Sequence, residues 1–333
     1  MSIAHPYILF LGDAPDQLAA KTANGVAMWR RSWCVGQLRL DGCNATVGLN
    51  DVTLEEGVAA GAKTLVVGVA NRGGRISEVW QQTLLKALDL GLDLASGLHN
   101  RLGAVPALRE AAERLGRSLF DVRHPTREFD VGNGEPRSGK RLLTVGSDCS
   151  VGKMFTSLAL EREMRARGMR ADFRATGQTG ILIAGDGVSV DAVVSDFISG
   201  ATEWLSPAND DDHWDLIEGQ GSLFHASFAG VSMGLLHGAQ PHALVLCHEP
   251  GRPHMRGLPG YKLPDLGQCM ELNERCAHLT NPAARTVGIA CNTSGLDAAG
   301  TERALGELSE RFGLPAVDPV KHGVGPIVDA LVG

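Results

Sequence analysis

The sequence predicts an α/β protein of two domains, each built around a parallel β-sheet. At 333 residues the chain is long enough for two domains, and 44% of its residues are hydrophobic, which suits a well-buried core. Short apolar, β-branched runs alternate with helical patterns along the chain, as expected where helices connect parallel strands. The 42 glycines and 5% aromatic content fit an α/β protein with many tight turns.

The first domain begins with a predicted strand at 7–11, followed by a helical pattern over 16–26. The run TLVVGV at 64–69 is continuously apolar, as is typical of a parallel strand buried on both faces. A helix is predicted over 76–90 and another strand over 92–96. This alternation predicts a three-layer α/β domain.

A polar segment rich in glycine and proline, 125–140, predicts the boundary between domains 1–134 and 135–333. The second domain repeats the strand-helix alternation. Its predicted elements are strand 141–145, a helix ending near 167, strand 171–175, a helix over 188–200, and strands 214–217, 243–247 and 285–290.

The segment GSDCSVGKM at 146–154 joins a predicted strand to a predicted helix and indicates a phosphate-binding loop. In such a loop, backbone N–H groups at a helix N-terminus surround an anion, and a lysine adds a positive charge. The alternative is a glycine-rich turn before a packing helix. The predicted cofactor-binding residues are Gly146, Asp148, Cys149, Ser150, Val151, Gly152, Lys153 and Met154.

The loop departs from the usual G-x-x-x-x-G-K-[ST] pattern. Five residues separate Gly146 from Gly152, and Met154 stands where a hydroxyl would hold Mg²⁺. Thr156 is two residues further along the helix, so its hydroxyl points about 200° away. Because phosphate binding needs only the N–H groups and the lysine, the sequence favours binding over ATP hydrolysis.

Three residues at predicted strand ends are candidate catalytic groups: Glu218, His248 and His99. Glu218 follows a strand where an acid could hold Mg²⁺ or activate a nucleophile, or simply cap a glycine-rich turn. A histidine at a strand end could be a general base or a structural hydrogen-bonding group. The residue types alone do not assign the base.

Polar residues after two strands of the first domain are candidate substrate ligands, because ligands bind beyond the carboxyl ends of parallel strands. Arginine pairs well with carboxylates, so two arginines at neighbouring strand ends would suit a dicarboxylate. Each arginine could instead pair with a structural acid. The predicted substrate-binding residues are Asn71, Arg72, Asn100, Arg101 and, in the second domain, Gln178. Gln178 is predicted to lie in a turn after strand 171–175, because Gly177 and Gly180 flank it.

Charge and composition argue against several classes of partner. The net charge is −7 and no basic stripe occurs, so nucleic acid is excluded. No apolar run reaches the ~18 residues of a membrane span, and the first residues do not resemble a signal peptide. The seven cysteines are scattered and form no C-x-x-C motif, which predicts reduced thiols. The metal-binding motifs H-x-x-x-H and H-E-x-x-H are also absent from the sequence, so no metal site is predicted. We therefore expect a cytoplasmic enzyme that acts on small molecules. Cys149 lies in the predicted phosphate loop, where backbone N–H groups could lower its pKa and make it a nucleophile.

The segment GSDCSVGKM resembles the extended phosphate loop of dethiobiotin synthetase-like P-loop proteins. Those proteins also have one extra residue before Gly-Lys and an acid in a turn like Glu218-Gly219-Gln220-Gly221. The departure is Met154, where the ATP-using proteins have threonine.

Six motifs spread over both halves of the chain are GSDCSVGKM, VANRGG (69–74), SGLHNRLG (96–103), FRATGQTG (173–180), IEGQGSLFH (217–225) and LCHEP (246–250). By these motifs the whole chain resembles a family long described as a domain of unknown function, some members of which are described as D-glutamate N-acetyltransferases. It implies a Rossmann-like N-terminal domain, a P-loop C-terminal domain and a homo-oligomer. It also implies that the protein forms N-acetyl-D-glutamate from acetyl-CoA and D-glutamate.

The residues and the resemblance suggest the same chemistry. CoA phosphates could lie on 146–153 while Arg72 and Arg101 bind the two carboxylates, with direct attack on the thioester at the domain junction. One alternative is an ATP/Mg-dependent ligase or kinase of the dethiobiotin synthetase type, and another is a nucleotide-sensing protein. Preference for the D or the L enantiomer stays open, because it depends on which side of the α-carbon the arginines stand.

Overall fold

The computed structural model describes residues 2–69 and 76–333 of the chain. Its contacts divide the chain into two compact units, which are described in turn. The first unit is Met1–Arg127 with Gly177–Ala192, and the second is Glu128–Thr176 with Val193–Gly333.

The elements alternate along both units, as predicted. The strands are β1 (Tyr7–Gly12), β2 (Cys34–Arg39), β3 (Thr64–Val67), β4 (Asp93–Ser96), β5 (Leu119–Asp121), β6 (Lys140–Gly146), β7 (Ala171–Arg174), β8 (Trp214–Ile217), β9 (Ala243–His248), β10 (Arg285–Cys291) and β11 (Ala316–Val317). The helices are α1 (Lys21–Trp29), α2 (Leu54–Ala59), α3 (Glu78–Asp89), α4 (Pro106–Leu115), α5 (Lys153–Ala166), α6 (Gln178–Ala184), α7 (Ile198–Leu205), α8 (Ala229–Ala239), α9 (Leu266–Ala277), α10 (Ala298–Phe312) and α11 (Gly325–Val332).

The first unit contains a parallel sheet in the order β2-β1-β3-β4-β5. All residues of β1 and β3 are buried, which explains why both sequences are continuous apolar runs. The helix predicted from residue 16 begins at Lys21 instead. β3 and β4 are neighbours, so the turns that follow them leave the same edge of the sheet.

The second unit contains a parallel sheet in the order β11-β10-β9-β6-β8-β7. β6 lies between β9 and β8, so the loop that follows β6 is flanked by the ends of two other strands. In register, Gly146 pairs with Cys247 and Leu143 pairs with Ile217. This topology brings the predicted phosphate loop, Glu218 and His248 to one edge of the sheet.

The helix predicted over 188–200 is wrong for all but its last residues, 198–200. Residues Val190–Ala192 and Ser195–Phe197 form short 3₁₀ turns, and α7 begins only at Ile198. The Ser189 hydroxyl donates to the Asp191 carboxylate at 2.9 Å, a local side-chain bond that competes with helix formation.

The segment predicted to link the domains is held by side chains of the second unit. Glu203 accepts hydrogen bonds from the N–H groups of Asn133 and Gly134, each at 3.0 Å. Arg137 donates to the carbonyl oxygens of Ser206 (3.0 Å) and Gly238 (2.8 Å). The predicted boundary at 134/135 lies within this segment.

None of the helices in the described part of the chain is both long enough and apolar enough to cross a bilayer.

Candidate functional site: a phosphate loop and a strand-end pocket

The loop after β6 turns sharply before α5 begins. Ser150 has a φ of 56° and Gly152 a φ of 101°, both in the left-handed region. Gly152 immediately precedes Lys153, the first residue of α5. Glycine takes this conformation without steric penalty, which accounts for its place here. The N–H groups of the first helical turn are therefore available to an anion.

Lys153 is buried inside this loop, where its ammonium group contacts backbone oxygens. Nζ donates to the carbonyl oxygens of Asp148 and Gly221, each at 2.8 Å. Burial lowers the pKa of Lys153, and the negative potential of Cys247, Cys149, Asp148 and Glu218 opposes that shift. Carbonyl groups orient the ammonium group without neutralising it, so its charge remains available to a phosphate.

The hydroxyl of Thr156 is engaged on the core side of α5. It donates to the carbonyl oxygen of Gly152 at 3.0 Å, and Cys247 Sγ donates to it at 3.4 Å. Thr156 is 1% exposed. It therefore does not replace the hydroxyl missing at Met154, in agreement with the helical geometry.

Arg252, which the motif analysis did not identify, holds the loop from a neighbouring segment. Its Nη1 donates to Asp148 Oδ2 at 2.6 Å and to the Cys149 carbonyl oxygen at 2.7 Å. Its Nη2 donates to the Ser150 carbonyl oxygen at 3.1 Å and also contacts Glu249. The guanidinium group thus fixes three consecutive loop residues.

Asp148 is fully buried, yet it is held as a carboxylate. Burial pushes its pKa upward, but the Arg252 guanidinium and the N–H groups of Arg256 and Cys149 outweigh burial, so the pKa is lowered. The Arg256 N–H donates to Oδ2 at 2.8 Å, and the Cys149 N–H donates to Oδ1 at 2.6 Å. The predicted ligand Asp148 therefore shapes the loop from within.

Asp148, Cys149 and His225 form a cluster whose side-chain ligand atoms lie within 4.8 Å of one another. Several of those atoms are already engaged: His225 Nδ1 accepts from the Ser227 N–H at 3.2 Å, and Nε2 lies 3.0 Å from the Arg256 carbonyl oxygen. Burial raises the pKa of Cys149, which is opposite to the expectation that loop N–H groups lower it. A nucleophilic role for this thiol is therefore disfavoured.

Glu218 directly follows β8 and is 5% exposed. Its carboxylate accepts the Thr176 N–H at 3.0 Å, and its carbonyl oxygen accepts the Thr176 hydroxyl. The next residue, Gly219, approaches the central strand so closely that a Cβ would lie 1.6 Å from the Thr144 carbonyl oxygen. The acid thus sits beside the loop, where its negative potential supports the charge of Lys153.

His248, the last residue of β9, lies directly against the loop. Its Nδ1 is 2.9 Å from the Ser147 hydroxyl oxygen. Burial lowers its pKa to about 4, helped by the positive charge of Arg252 and opposed by Glu249. The imidazole is therefore neutral at neutral pH, and one of its two ring nitrogens carries a lone pair.

In the first unit, the predicted residues after β4 line an open pocket of about 530 Å³. His99, Asn100 and Arg101 are exposed there, and His124 Nε2 lies 3.0 Å from the His99 carbonyl oxygen. The remaining lining residues are Ile76, Ala104 and Val105. The predicted ligands Asn71 and Arg72 lie outside the described residues.

Gln178, predicted to lie in a turn of the second domain, is the first residue of α6, which belongs to the first unit. A Cβ on Gly97 would lie 3.2 Å from both Cβ and Cγ of Gln178. Because Gly97 directly follows β4, Gln178 packs beside the turn that carries His99.

Two family descriptions cover most of the chain. Residues 38–125 match a Rossmann-like domain and residues 130–328 match a P-loop domain, the two halves of a family described as a domain of unknown function, DUF1611. A crystal structure of a DUF1611 family protein from Anabaena variabilis superimposes with a TM-score of 0.82 at 32% identity, covering 99% of both chains. The predicted fold class is confirmed.

Two curated relatives match along nearly the full length. A protein named D-glutamate N-acetyltransferase from Tritonibacter scottomollicae is 58% identical over 332 residues, which is 99% of each chain. A protein of the same name from a Pseudoalteromonas species is 49% identical over 328 residues, covering 98% of this chain and 99% of the relative. The family resemblance stated from the motifs is confirmed.

Proposed function

The chain belongs to the DUF1611 family, and from that membership we propose that it is an N-acetyltransferase that moves the acetyl group of acetyl-CoA to the amine of D-glutamate. The observation that carries this proposal is the 58% and 49% identity, over nearly the whole chain, to two proteins of that name. The Rossmann-like and P-loop domains of the fold are consistent with binding an anionic cofactor and a small substrate.

We propose that the phosphate groups of acetyl-CoA bind at residues 146–154. The buried ammonium group of Lys153 and the N–H groups at the start of α5 offer positive charge and donors to an anion. The phosphate groups of CoA take no part in acetyl transfer and serve only to bind the cofactor, so no phosphate bond has to be hydrolysed at this loop. A loop with Met154 in place of the Mg²⁺-binding hydroxyl suits such a ligand, and the proposed reaction needs no metal.

We propose that the carboxylates of D-glutamate bind at the turns after β3 and β4. Arg101 and Asn100 line the 530 Å³ pocket and are exposed, so their donors are open to a ligand. Arg72 and Asn71 are the counterparts predicted after β3, and Gln178 adds an amide near the turn after β4.

The proposal is tested by mixing the protein with acetyl-CoA and D-glutamate and following free thiol. We expect thiol release that requires D-glutamate and is matched mole for mole by N-acetyl-D-glutamate. L-Glutamate and a mixture without amino acid are the controls, and EDTA should leave the rate unchanged. Thiol release equal to those controls would refute the transfer. ADP formation from ATP with a carboxylate substrate would instead support a ligase or kinase.

We also propose that the protein is a cytoplasmic homo-oligomer. The seven cysteines are scattered and none is paired in a disulfide, as is usual for a protein of a reducing compartment. Light scattering coupled to size-exclusion chromatography tests the oligomer, and a single species of 35.2 kDa would refute it.

A further inference from the structure

The ends of β6 and β9 place Ser147 and His248 side by side. Gly146 pairs with Cys247 in the sheet, and the Ser147 N–H donates to the Cys247 carbonyl oxygen at 3.0 Å. On the other side, the Asn292 N–H donates to the His248 carbonyl oxygen at 2.8 Å. The backbones of both residues are therefore fixed, and so is the approach of their side chains.

The Ser147 hydroxyl group lies within hydrogen-bond distance of two groups. Its oxygen is 2.9 Å from His248 Nδ1 and 3.5 Å from the Cys247 carbonyl oxygen. A hydroxyl carries one hydrogen, so both contacts can be hydrogen bonds only if the Ser147 hydroxyl donates to the Cys247 carbonyl oxygen and its oxygen accepts a hydrogen bond from His248 Nδ1–H. Ser147 is 0% exposed, so no bulk water competes for this hydroxyl.

This arrangement leaves a lone pair on the other ring nitrogen. Among residues 2–69 and 76–333, Nε2 of His248 has no hydrogen-bond partner, and the side chain is half-buried. A neutral imidazole that is fixed through Nδ1–H and free at Nε2 has the geometry of a general base held by an orienting group.

We propose that Ser147 is a positioning residue that holds His248 in the Nδ1–H tautomer, so that Nε2 of His248 is the general base of the acetyl transfer. This inference rests on the proposed function. The α-ammonium group of D-glutamate first loses one proton to solvent. The resulting neutral amine attacks the thioester carbon, forming the C–N bond while the C–S bond breaks. His248 Nε2 takes one N–H proton and returns it to the sulfur of the departing CoA.

The first test reads the tautomer without any substrate. In protein labelled with ¹⁵N-histidine, the His248 resonances are assigned by their loss in His248→Asn. We expect a protonated Nδ1 and an unprotonated Nε2 in the wild type, and loss of that preference in Ser147→Ala. Protonated Nε2 in the wild type would overturn the inference.

The second test separates positioning from folding. Ser147→Ala should lower kcat about 10-fold or more with little change in KM for acetyl-CoA, and His248→Asn should lower kcat by about 10²–10⁴-fold. The double variant should be no slower than His248→Asn, because Ser147 acts through the imidazole. Ser206→Ala removes another fully buried hydroxyl of the same unit, bonded to the Thr202 carbonyl oxygen, and should leave both kcat and the tautomer unchanged.

The two proposals fail in different ways. Full kcat in Ser147→Ala, with an active wild type, overturns only the positioning role and leaves the acetyltransferase intact. A wild type that releases no thiol with D-glutamate overturns the proposed function, and the role of Ser147 falls with it.

Discussion

At the scale of single residues, the phosphate loop contains Lys153 and is contacted by Arg252, and these two cations have different kinds of partner. Lys153 contacts two backbone carbonyl oxygens, whereas the Arg252 guanidinium contacts the carboxylates of Asp148 and Glu249. Arg252 is thus neutralised and acts on the loop's shape, while Lys153 keeps its charge for a ligand. Arg252 therefore stabilises the conformation of the loop, and Lys153 is the residue whose charge can bind an anion.

Replacing Lys153 should therefore weaken acetyl-CoA binding. Lys153→Met keeps the buried aliphatic stem but removes a charged hydrogen-bond donor, for which a loss of about 1.5–3 kcal/mol is typical. We expect KM for acetyl-CoA to rise about 10- to 100-fold. Lys140→Met, at the exposed start of β6, is the control and should leave that KM unchanged. An unchanged KM in Lys153→Met would move the CoA site elsewhere.

The Asp148 carboxylate should make stability depend on acid pH. Burial alone would raise its pKa, but hydrogen bonds from Arg252, Arg256 and Cys149 outweigh burial and bring it below the ordinary 3.8. A lowered pKa in the folded state stabilises the fold above pH 3.8, and that contribution is lost as pH falls through the lower folded value.

Urea unfolding of wild type and Asp148→Asn measures this contribution. We expect a large gap in unfolding midpoint at pH 7 that narrows as pH falls below 3.8. Asp210→Asn removes an exposed partner of Arg170 and should show no such narrowing. A gap between wild type and Asp148→Asn that is constant down to pH 2 would contradict the assignment.

The residues of the loop were predictable from sequence, but the residue that holds them was not. Gly152 and Lys153 are adjacent in a recognisable motif, and the motif predicts a phosphate-binding role for them. Arg252 follows β9 by four residues, and only folding brings it within 2.6 Å of Asp148. No local pattern marks such a contact, since arginines in polar turns are common. The available signal was the position of Arg252, which follows the end of β9, the strand that pairs with β6.

At the scale of elements, buried parallel strands were predicted best because their sequences are continuous apolar runs. The strand predicted over 214–217 matches β8 residue for residue. The helix predicted over 188–200 failed because Ser189 and Asp191 bond to each other, a choice that periodicity does not detect. Gln178 was assigned to a turn because the glycines around it resemble turn punctuation, yet it starts α6.

The turn after β8 depends on a glycine that touches the central strand. A Cβ at Gly219 would lie 1.6 Å from the Thr144 carbonyl oxygen, so β8 or the turn must shift in Gly219→Ala. We expect a loss of stability of about 1–3 kcal/mol, the usual range for overpacking, together with a lower affinity for acetyl-CoA. Urea titration and calorimetry with acetyl-CoA measure the two effects.

Gly306→Ala is the matched control for this substitution. Gly306 lies within α10, is exposed and has no heavy atom within 4 Å of an added Cβ. Alanine is the better helix former, so this variant should gain about 0.5–1 kcal/mol. Equal effects of the two substitutions would mean that close approach to β6 does not explain Gly219.

At the scale of the whole molecule, the two units are not consecutive in the chain. Residues Gly177–Ala192 leave the second unit after β7 and complete the first unit. There, the Ile3 N–H donates to the Gly185 carbonyl oxygen at 2.7 Å. A Cβ on Gly25 of α1 would lie 3.2 Å from Thr179 Cγ2, so α1 and α6 pack closely. The domain boundary was predicted from a polar, glycine- and proline-rich segment. Composition of this kind does not show which domain a later segment such as 177–192 packs against.

The first unit should therefore need this inserted segment when it is isolated. A fragment of residues 1–134 lacks α6, so the face of α1 that α6 covers would be exposed to water. We expect it to bind a hydrophobic dye strongly and to melt at a lower temperature than the same fragment with residues 177–192 joined through a glycine-serine linker. Extending the 1–134 fragment by an unrelated polar segment of equal length controls for chain length and should give no gain. If the bare and the completed fragments melt alike, α6 contributes nothing to the first unit, and the contacts at Gly25 and Ile3 have no energetic weight.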